Sequence, residues 1–525
     1  MYTFLAQCRD SILHHRLHFF VFFYVFVWSV WLLKVIVAHG YRPYSEEHTP
    51  TVSVLIPVAG EEPEHFRKVL LGILAAKPME TMVIINGAQD VRLEQVCRKL
   101  QVPYCWLLQP SKRQAIAEAV ARTSGEIAVI VDSDTLWDEH TLPELLKPFA
   151  DSEVGGVTTD QRIFGRDRHV LARFADWMED IRTQYSMPAM SRFGAVGCLP
   201  GRTIAFRRSI LVKNMDRFLR EKFLGIFVEY SDDRTLTNYT LKDGYKTVYQ
   251  RTARVWTDTP VTWWRYVKQQ YRWAKGSQYN TFRMARYMIR RTPFLAFVYF
   301  SDMLIPFFWL GTIVNLVWKL CIGDPVNYTR AVWWQQIIFV TMGLFVSAII
   351  RNYAHLERHP EDWTFLPLFI LMQSFLLTPI RVYGFFRLAQ DSGWGTRKHA
   401  HKGGGQVHVA GVLPYIIGAG LIVFFGVLGP EIETHRQFNS FIGAHIGIIG
   451  STFGLLLILL IITTISRYLL QHARQAATYI VLLMICVSYT SLQSSVLRSD
   501  IRVQEERDTA IGQQLRVSTE NDSQT

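Results

Sequence analysis

The sequence lacks paired cysteines and internal repeats, and we expect no cleavable leader. Its six cysteines show neither a CxxC pair nor the ligand spacing of a zinc site: Cys8, Cys97, Cys105, Cys198, Cys321 and Cys486. A disulfide framework and a structural zinc site are therefore not indicated, and we expect a reducing compartment for the polar part of the chain. Residues 17–38 form a longer apolar run than a signal peptide has, and they have no convincing cleavage site, so we interpret them as a retained membrane helix.

Composition favours a mixture of one soluble domain and several membrane spans. The 525 residues are 49% hydrophobic, and the mean hydropathy is +0.11. The net charge is +12, but the basic residues gather beside apolar runs and in one loop, as cytoplasmic flanks of membrane helices do. We therefore expect no nucleic-acid partner.

The apolar residues divide the chain into four parts. We predict an N-terminal segment (1–49), a soluble domain (50–290), a C-terminal membrane region (291–497) and a disordered tail (498–525). Runs close to the ~20 residues that a helix needs to cross a bilayer predict further spans. These runs are 303–322, 332–350, 411–429 and 442–465, while 477–496 stays undecided.

A shorter apolar run, 365–377, predicts an interfacial helix over about 365–388, because apolar runs of ~10–14 residues with cationic flanks commonly lie in the interface. If this helix does not cross, the soluble domain and the basic loop that follows it share one side, which the basic flanks place in the cytoplasm. Asn327, in an Asn-Tyr-Thr sequon, then falls in an external loop, and its glycosylation stays open.

Strand and helix patterns alternate between residues 51 and 132. This alternation predicts a mostly parallel α/β sheet, whose ligands bind beyond the carboxyl ends of the strands. The segments to expect there are Glu61-Glu62, Asn86-Gly87 and Asp132-Ser133-Asp134.

Asp132 and Asp134 follow the apolar strand IAVIV directly. Two carboxylates at the ligand end of a sheet suit Mg²⁺ or Mn²⁺, which takes its remaining ligands from water and a substrate diphosphate. The alternative is a strand-ending turn with Asx hydrogen bonds.

Asp232 and Asp233 begin a second helical pattern, DDRTLTNYTL. Attack by a hydroxyl group needs a carboxylate to accept its proton, and we predict Asp233 as that base with Asp232 beside it. The alternative is an acid pair that complements the helix dipole.

Gln269, Arg272 and Trp273 lie on a further predicted helix, where they offer an amide, a cation and a stacking surface. Aromatic faces suit sugar rings, so we predict contacts with an acceptor and a diphosphate. The alternative is an amphipathic helix on the membrane surface.

Three basic or turn-like segments complete the set. Lys112-Arg113 precede a helix and are predicted to meet a nucleotide phosphate, unless they form a solvated turn. Cys198 and Gly201 lie in a turn that either lines an acceptor site or simply connects two elements. A glycine-hinged loop, about 391–402, is predicted to close over a diphosphate; its residues of interest are Trp394, Thr396 and Arg397.

Taken in order, IPVAGEEPEHFRKVL, SKRQA, DSDT, CLPGR, SDDRTLTNYTL, QQYRW and SGWGTRK resemble the processive family-2 glycosyltransferases, most closely the hyaluronan synthase branch and its fungal type-2 relatives. The resemblance covers roughly residues 50–400. It implies a GT-A-type α/β domain on interfacial helices, with a multi-span channel for the growing chain.

The resemblance also assigns roles to the motifs. Asp132 and Asp134 would bind the metal and the nucleotide-sugar, together with Glu61, Glu62, Asn86, Lys112 and Arg113. Asp233 would be the base, the QQYRW motif would contact acceptor and diphosphate, and Trp394 would belong to a gating loop. Asn86 and Glu61-Glu62 depart from the family pattern of Asp-Asp-Gly and Asn/Asp-Glu, so the donor sugar stays open.

The motifs and their resemblance thus predict an inverting, metal-dependent polysaccharide synthase with a cytoplasmic catalytic domain, and the resemblance alone implies a location in the plasma membrane. Its expected partners are a UDP-sugar, a growing glycan and membrane lipid, and its oligomeric state stays open. Two alternatives remain: a non-processive transferase that glycosylates a lipid, and an inactive transporter or scaffold.

Overall fold

A computed structural model describes residues 18–108, 110–228, 230–322, 330–389 and 409–428. All of them belong to one compact unit, Met1–Pro430. Several predictions lie outside the described residues: the loop with Trp394, Thr396 and Arg397, the sequon at Asn327, the spans 442–465 and 477–496, and the tail 498–525.

The central sheet has eight strands in the order β3-β2-β1-β4-β7-β6-β10-β5. Its strands are β1 Val52–Val58, β2 Glu80–Asn86, β3 Tyr104–Leu107, β4 Ile127–Val131, β5 Thr135–Trp137, β6 Val154–Ile163, β7 Thr203–Arg207 and β10 Lys246–Thr257, and a separate hairpin pairs β8 Lys222–Phe223 with β9 Ile226–Phe227. Strands β1 to β4 are mutually parallel, β6 pairs parallel with β10, and β7 and β5 run antiparallel to their neighbours. The predicted mostly parallel α/β sheet is therefore confirmed.

Helices cover both faces of this sheet. They are α2 Pro63–Ala75, α3 Val91–Lys99, α4 Lys112–Ala121, α5 Thr141–Leu146, α6 Val170–Ile181, α7 Met187–Arg192, α8 Arg208–Leu219 and α9 Asp232–Lys242, preceded by α1 His18–His39. The helices α2 to α4 begin where capping predicts, since Glu62, Asp90 and Ser111 accept hydrogen bonds from first-turn amides.

Strand β1 shows why the sheet is covered on both faces. All seven of its residues are buried, with Val54 and Ile56 packing in one apolar cluster and Leu55 in another. Neighbouring residues of a strand point to opposite faces, so a continuous apolar run needs helices on each side. The carboxyl edge of the sheet is thus left as the accessible side for a ligand.

Long helices follow the sheet domain. They are α10 Trp263–Arg291, α11 Pro293–Ile322, α12 Arg330–Arg358, α13 Leu366–Leu371, α14 Thr378–Phe386 and α15 Leu413–Val423. Phe174 and Trp177 of α6 pack with Phe365 and Phe369 beside α13, and Tyr279 of α10 belongs to a further cluster with α11 and α14. The sheet domain and the C-terminal helices therefore share apolar cores.

Two described helical stretches, Pro293–Val314 and Leu366–Phe386, are long and apolar enough to cross a membrane by length and composition. Phe26–His39 and Ala410–Gly426 are shorter apolar helices. The predicted interfacial helix is thus part of a 21-residue helical stretch in which a π-helical segment, Met372–Leu377, joins α13 to α14. This stretch meets the length for a crossing, which its shorter apolar run does not. Its position relative to a membrane stays a prediction.

Candidate active site

The Asp132-Ser133-Asp134 turn joins β4 to β5 at the carboxyl edge of the sheet. The amide of Asp132 donates to the carbonyl of Arg202 at 3.0 Å, and the amide of Thr135 donates back to the carbonyl of Asp132 at 3.1 Å. The hydroxyl of Ser133 donates to Oε1 of Glu61 at 3.1 Å. These bonds fix the turn, and Asp132 and Asp134 line a cleft.

This cleft has a volume of about 1740 Å³. Most of the predicted site residues meet there, namely Glu61, Asn86, Lys112, Asp132, Asp134, Cys198, Gly201, Asp232, Asp233, Gln269, Arg272 and Trp273. The cleft then continues between helices, where Trp31 of α1, Met303 of α11 and Ile380 of α14 line it. One cavity thus joins the acidic edge of the sheet to the apolar helices.

Asp233 presents its carboxylate to this cleft from the first turn of α9. Its Oδ2 accepts the amide of Gly201 at 3.2 Å, and its Oδ1 accepts the amide of Arg234 at 2.8 Å. Burial raises the pKa of Asp233 above 3.8, although the Arg234 amide and Lys112 act in the opposite direction. A carboxylate with a raised pKa is a better proton acceptor than an exposed one.

The helix that carries Asp233 begins after a strained residue. Ser231 has φ of +64°, the left-handed region that residues with a side chain rarely adopt. Its hydroxyl accepts a hydrogen bond from Asn280 of α10 at 3.3 Å, which helps to hold this conformation. Such strain is commonly found where a fold aims a functional side chain.

Lys112 supplies a cation to the acidic cluster. Its Nζ lies 2.6 Å from Oδ1 of Asp132. Burial alone would lower the pKa of Lys112, but Asp132, Asp232 and Asp233 raise it above its ordinary value. The ammonium therefore stays charged at neutral pH.

The structure corrects the predictions for Arg113 and Asp232. Arg113 is 1% exposed and absent from the cleft lining, and its guanidinium donates to Asp232 at 2.9 Å, to Glu221 at 3.0 Å and to the Phe218 carbonyl at 2.6 Å. The hydrogen-bond donors of Arg113 are therefore used by buried partners and do not face a nucleotide phosphate in the cleft. Asp232 borders the cleft, but its carboxylate binds this arginine, which makes it a structural neighbour of the proposed base.

Glu62 and Asn86 also form local bonds. The carboxylate of Glu62 caps α2, accepting the amides of Glu64 at 3.1 Å and His65 at 2.6 Å, and it does not line the cleft. This corrects its predicted contact with the nucleotide-sugar. Asn86 lines the cleft, and its Oδ1 accepts the amide of Ser111 at 3.0 Å, which ties β2 to the start of α4.

Helix α10 forms the wall opposite the acids. Trp273 is 42% exposed there, with the guanidinium of Arg202 6.0 Å from the centre of its ring. Arg202 is held by Glu179 at 2.9 Å and by Oε1 of Gln161 at 3.2 Å. Sequence analysis missed Glu179 and Gln161, because neither belongs to a recognisable motif.

The acids suit a divalent cation as a two-ligand site. Among the described residues, no group of three or more His, Cys, Asp or Glu side chains forms a complete metal site. Asp132 and Asp134 nevertheless offer hard oxygen donors at the cleft, and Mg²⁺ or Mn²⁺ commonly takes its other ligands from water and diphosphate. The donor set therefore fits such an ion in the company of a nucleotide.

Residues 50–276 match the family described as glycosyltransferase like family 2. A hyaluronan synthase of Streptococcus pyogenes is 29% identical over 384 residues, which cover 70% of this chain and 88% of that protein. A type 2 glycosyltransferase of Pyricularia oryzae is 26% identical over 411 residues, covering 73% and 80%. The mannosyltransferase PcManGT of Pyrobaculum calidifontis, solved with GDP-Man and Mn²⁺, aligns at 17% identity over 73% of this chain and 98% of that chain, with a TM-score of 0.47.

Proposed function

The chain carries a glycosyltransferase family 2 domain at residues 50–276, and from this premise we propose that it is a membrane-embedded, inverting enzyme that transfers a sugar from a UDP-sugar to a growing polysaccharide. The observation that carries the proposal is the meeting of Asp233 with Asp132 and Asp134 in one cleft. An acceptor hydroxyl group and a nucleotide diphosphate need these two kinds of carboxylate at the same place.

Asp233 is the proposed base of the reaction. The acceptor oxygen forms a bond to the anomeric carbon while the bond from that carbon to the diphosphate oxygen breaks. The acceptor proton passes to Asp233, and the bonding electron pair leaves with the diphosphate. The Gly201 amide orients this carboxylate through its bond to Oδ2. Attack on the face opposite the leaving group inverts the configuration at the anomeric carbon.

Lys112 and Arg272 are proposed to neutralise the leaving diphosphate, because both are cations that line the cleft beside the acids. Asp132 and Asp134 would hold Mg²⁺ or Mn²⁺, which when bound offsets the negative charge of the nucleotide. Gln269 and Trp273 lie on the acceptor side, where an exposed indole face suits a sugar ring.

The course of the cavity supports a growing chain as acceptor. From the acids it leads between α1, α11 and α14, so an elongating product has a path along the apolar helices. The basic loop flanks support a catalytic domain in the cytoplasm, the side on which UDP-sugars are available. The resemblance to fungal polysaccharide synthases supports a location in the plasma membrane.

The deciding experiment incubates purified full-length protein in lipid nanodiscs with radiolabelled UDP-GlcNAc, UDP-glucose or UDP-glucuronic acid, singly and in pairs, with Mn²⁺ or Mg²⁺. We expect UDP release and a product that grows with time on a sizing column, with none from Asp233→Asn. Exclusive use of a GDP-sugar or a lipid-linked sugar would overturn the donor assignment.

A second candidate is a single transfer to a lipid. The observation in its favour is that the same cavity is lined by Val27 and Met303, which lets an acyl chain approach Asp233 from the side of the helices. A product with one sugar that partitions into organic solvent would support this candidate against polymer synthesis.

A further inference from the structure

His355, near the end of α12, lies between two buried carboxylates outside the lining of the catalytic cleft. Its Nδ1 is 2.8 Å from Oδ2 of Asp180 on α6, and its Nε2 is 2.8 Å from Oδ2 of Asp362 in the turn after α12. His355 is 1% exposed and both carboxyl groups are fully buried. The ring also stacks on the indole of Trp177, with centroids 4.4 Å apart.

This geometry defines the charge of His355. A carboxylate only accepts hydrogen bonds, so both ring nitrogens must donate, and the ring must be an imidazolium. Burial alone would lower the pKa of His355, but its bonds to Asp180 and Asp362 raise it above 6.5. Loss of the proton would place a nitrogen lone pair against a carboxylate, and one of the two contacts would have to open.

Several other charged groups face this cluster from the surrounding elements. Asp180 also accepts from Arg162 of β6 and Arg358 of α12, and Asp362 accepts from Arg166. The guanidinium of Arg173 lies 3.2 Å from Oδ1 of Asp362 as an ion pair. Other titratable groups near the cluster are Asp176, Tyr185, His359 and Glu361. Because the arginines keep their charge, His355 is the buried group of this cluster whose charge is lost as pH rises through its raised pKa.

Two short paths lead from this cluster to the catalytic turn. Asp180 is preceded in α6 by Glu179, whose Oε1 lies 2.9 Å from Nη1 of Arg202. Arg162, which binds Asp180 at 2.6 Å, is preceded in β6 by Gln161. Gln161 donates to the carbonyl of Pro200 at 3.1 Å and accepts from Arg202 at 3.2 Å.

Both paths end on the turn from Cys198 to Arg202, which bonds to the carboxylate of Asp233 and to the backbone of Asp132. Its Gly201 amide donates to Asp233, and its Arg202 carbonyl accepts the amide of Asp132. A shift of this turn would therefore move the proposed base and the Asp-x-Asp turn relative to each other.

We propose that His355 is a positioning residue: its imidazolium clamps α6 to the C-terminal helices and thereby holds the turn from Cys198 to Arg202 against Asp132 and Asp233. The kinetic consequence rests on the proposed transferase function, whereas the placement of the turn does not. A site assembled in this way is complete only while the sheet domain is docked on α12.

The kinetic test compares wild type with His355→Gln, Asp362→Asn and the control His359→Gln, a neighbouring histidine whose ring lies 5.0 Å from His355. Because the pKa of His355 is raised in the folded protein, the contribution of its imidazolium to holding the turn is fully present below pH 6.5. This contribution is lost as pH rises through the raised pKa. We expect kcat of wild type to fall at alkaline pH, and kcat of His355→Gln to be roughly tenfold lower near neutral pH and to lack that fall.

Asp362→Asn keeps the histidine but removes one carboxylate that raises its pKa, so the alkaline fall should move to lower pH. His359→Gln should keep the wild-type profile. The proposal is overturned if His355→Gln retains the wild-type alkaline fall, or if Asp362→Asn leaves the midpoint of that fall unchanged. These profiles remain informative when His355→Gln folds poorly, because Asp362→Asn is an independent variant.

A second measurement does not need activity. Cys198 lies in the positioned turn, with its sulfur 3.9 Å from Oδ2 of Asp233, so its alkylation rate by a neutral maleimide reports on how closely the turn is held. With peptide mass spectrometry at one fixed pH, Cys198 should react several-fold faster in His355→Gln than in wild type, relative to Cys105 of the same molecule. Equal Cys198 rates would overturn the proposal, even if no donor sugar is ever turned over.

Discussion

The ammonium of Lys112 is bonded to the carboxylate of Asp132 at 2.6 Å, inside a cleft that also contains Asp233. The positive charge of Lys112 stabilises the negative charges of Asp132 and Asp233, which would otherwise repel each other in the partly buried cleft. It also stands where a diphosphate would bring further negative charge. Lys112 therefore couples the nucleotide end of the cleft to the proposed base.

Lys112→Met should shift the acidic limb of the pH-rate profile to higher pH. Lys112 acts to lower the pKa of Asp233, so its removal raises that pKa further, and the base stays protonated over a wider range. The measurement is kcat/KM between pH 5 and pH 9, with Lys213→Met as a control, since Lys213 pairs with Asp243 away from the cleft. An unshifted limb would show that Asp233 is not the titrating base.

Asp233→Asn should lower kcat by about 10²- to 10⁴-fold, the usual contribution of a general base. The folded pKa of Asp233 is raised above 3.8, so its stabilising contribution is present at lower pH and is lost as pH rises through the folded value. The amide cannot ionise, so the thermal midpoint at pH 7 should stay equal or rise. UDP release and thermal unfolding check both outcomes, with the exposed Asp216→Asn as control; a large fall in midpoint would instead indicate a structural role.

Arg113→Met should lower the free energy of unfolding by about 3–5 kcal/mol, because it leaves buried carboxylates without their partner. Arg113→Lys should restore little, since an ammonium cannot reproduce the forked bonds to Asp232, Glu221 and the Phe218 carbonyl. Chemical denaturation provides the measurement. Wild-type stability combined with a raised KM for the donor would return Arg113 to a nucleotide-binding role.

Trp273→Ala should shorten the product and raise the KM for a short acceptor about tenfold, because stacking against an aromatic face is lost. Stability should change little, since the side chain is 42% exposed. Trp273→Phe should retain part of the activity. The matched control is Trp263→Ala on the same helix, whose indole is exposed and does not line the cleft; equal effects of the two alanine variants would contradict an acceptor contact.

The sequence was most informative where a local pattern determines structure. The predicted alternation of strands and helices between residues 51 and 132 is found in the structure, because burial on both faces and capping side chains are visible in sequence. The meeting of Glu61 and Asn86 with Asp132 and Asp134 followed from the rule that parallel strands deliver ligand-binding residues to one edge.

Each predicted contact that the structure contradicts belongs to the sequence neighbour of a residue that lines the cleft. Lys112 and Arg113 are adjacent at the start of α4, where successive side chains point about 100° apart, so only one can face the cleft. Glu61 and Glu62 divide in the same way between the cleft and a helix cap. A motif gives the chemistry of a segment, but the packing around it decides which side chain is available.

Long-range pairs were not predictable at all. His355 and Asp180 are 175 positions apart, and Lys34 of α1 pairs with Asp302 of α11 across 268 positions. No spacing rule links such residues. The antiparallel strands β5 and β7 were missed for a related reason, since their pairing depends on β10 and β4 from distant parts of the chain.

The stacking of Trp177 on Phe369, with centroids 4.2 Å apart, also bears on how such proteins can be engineered. This contact joins the sheet domain to the helices through a common core, so the sheet domain cannot be exchanged between proteins as an independent unit. A chimera cut near residue 290 would have to match two sets of core side chains that evolved together in each parent. Donor specificity is therefore better altered by substitutions within the cleft than by swapping domains between relatives.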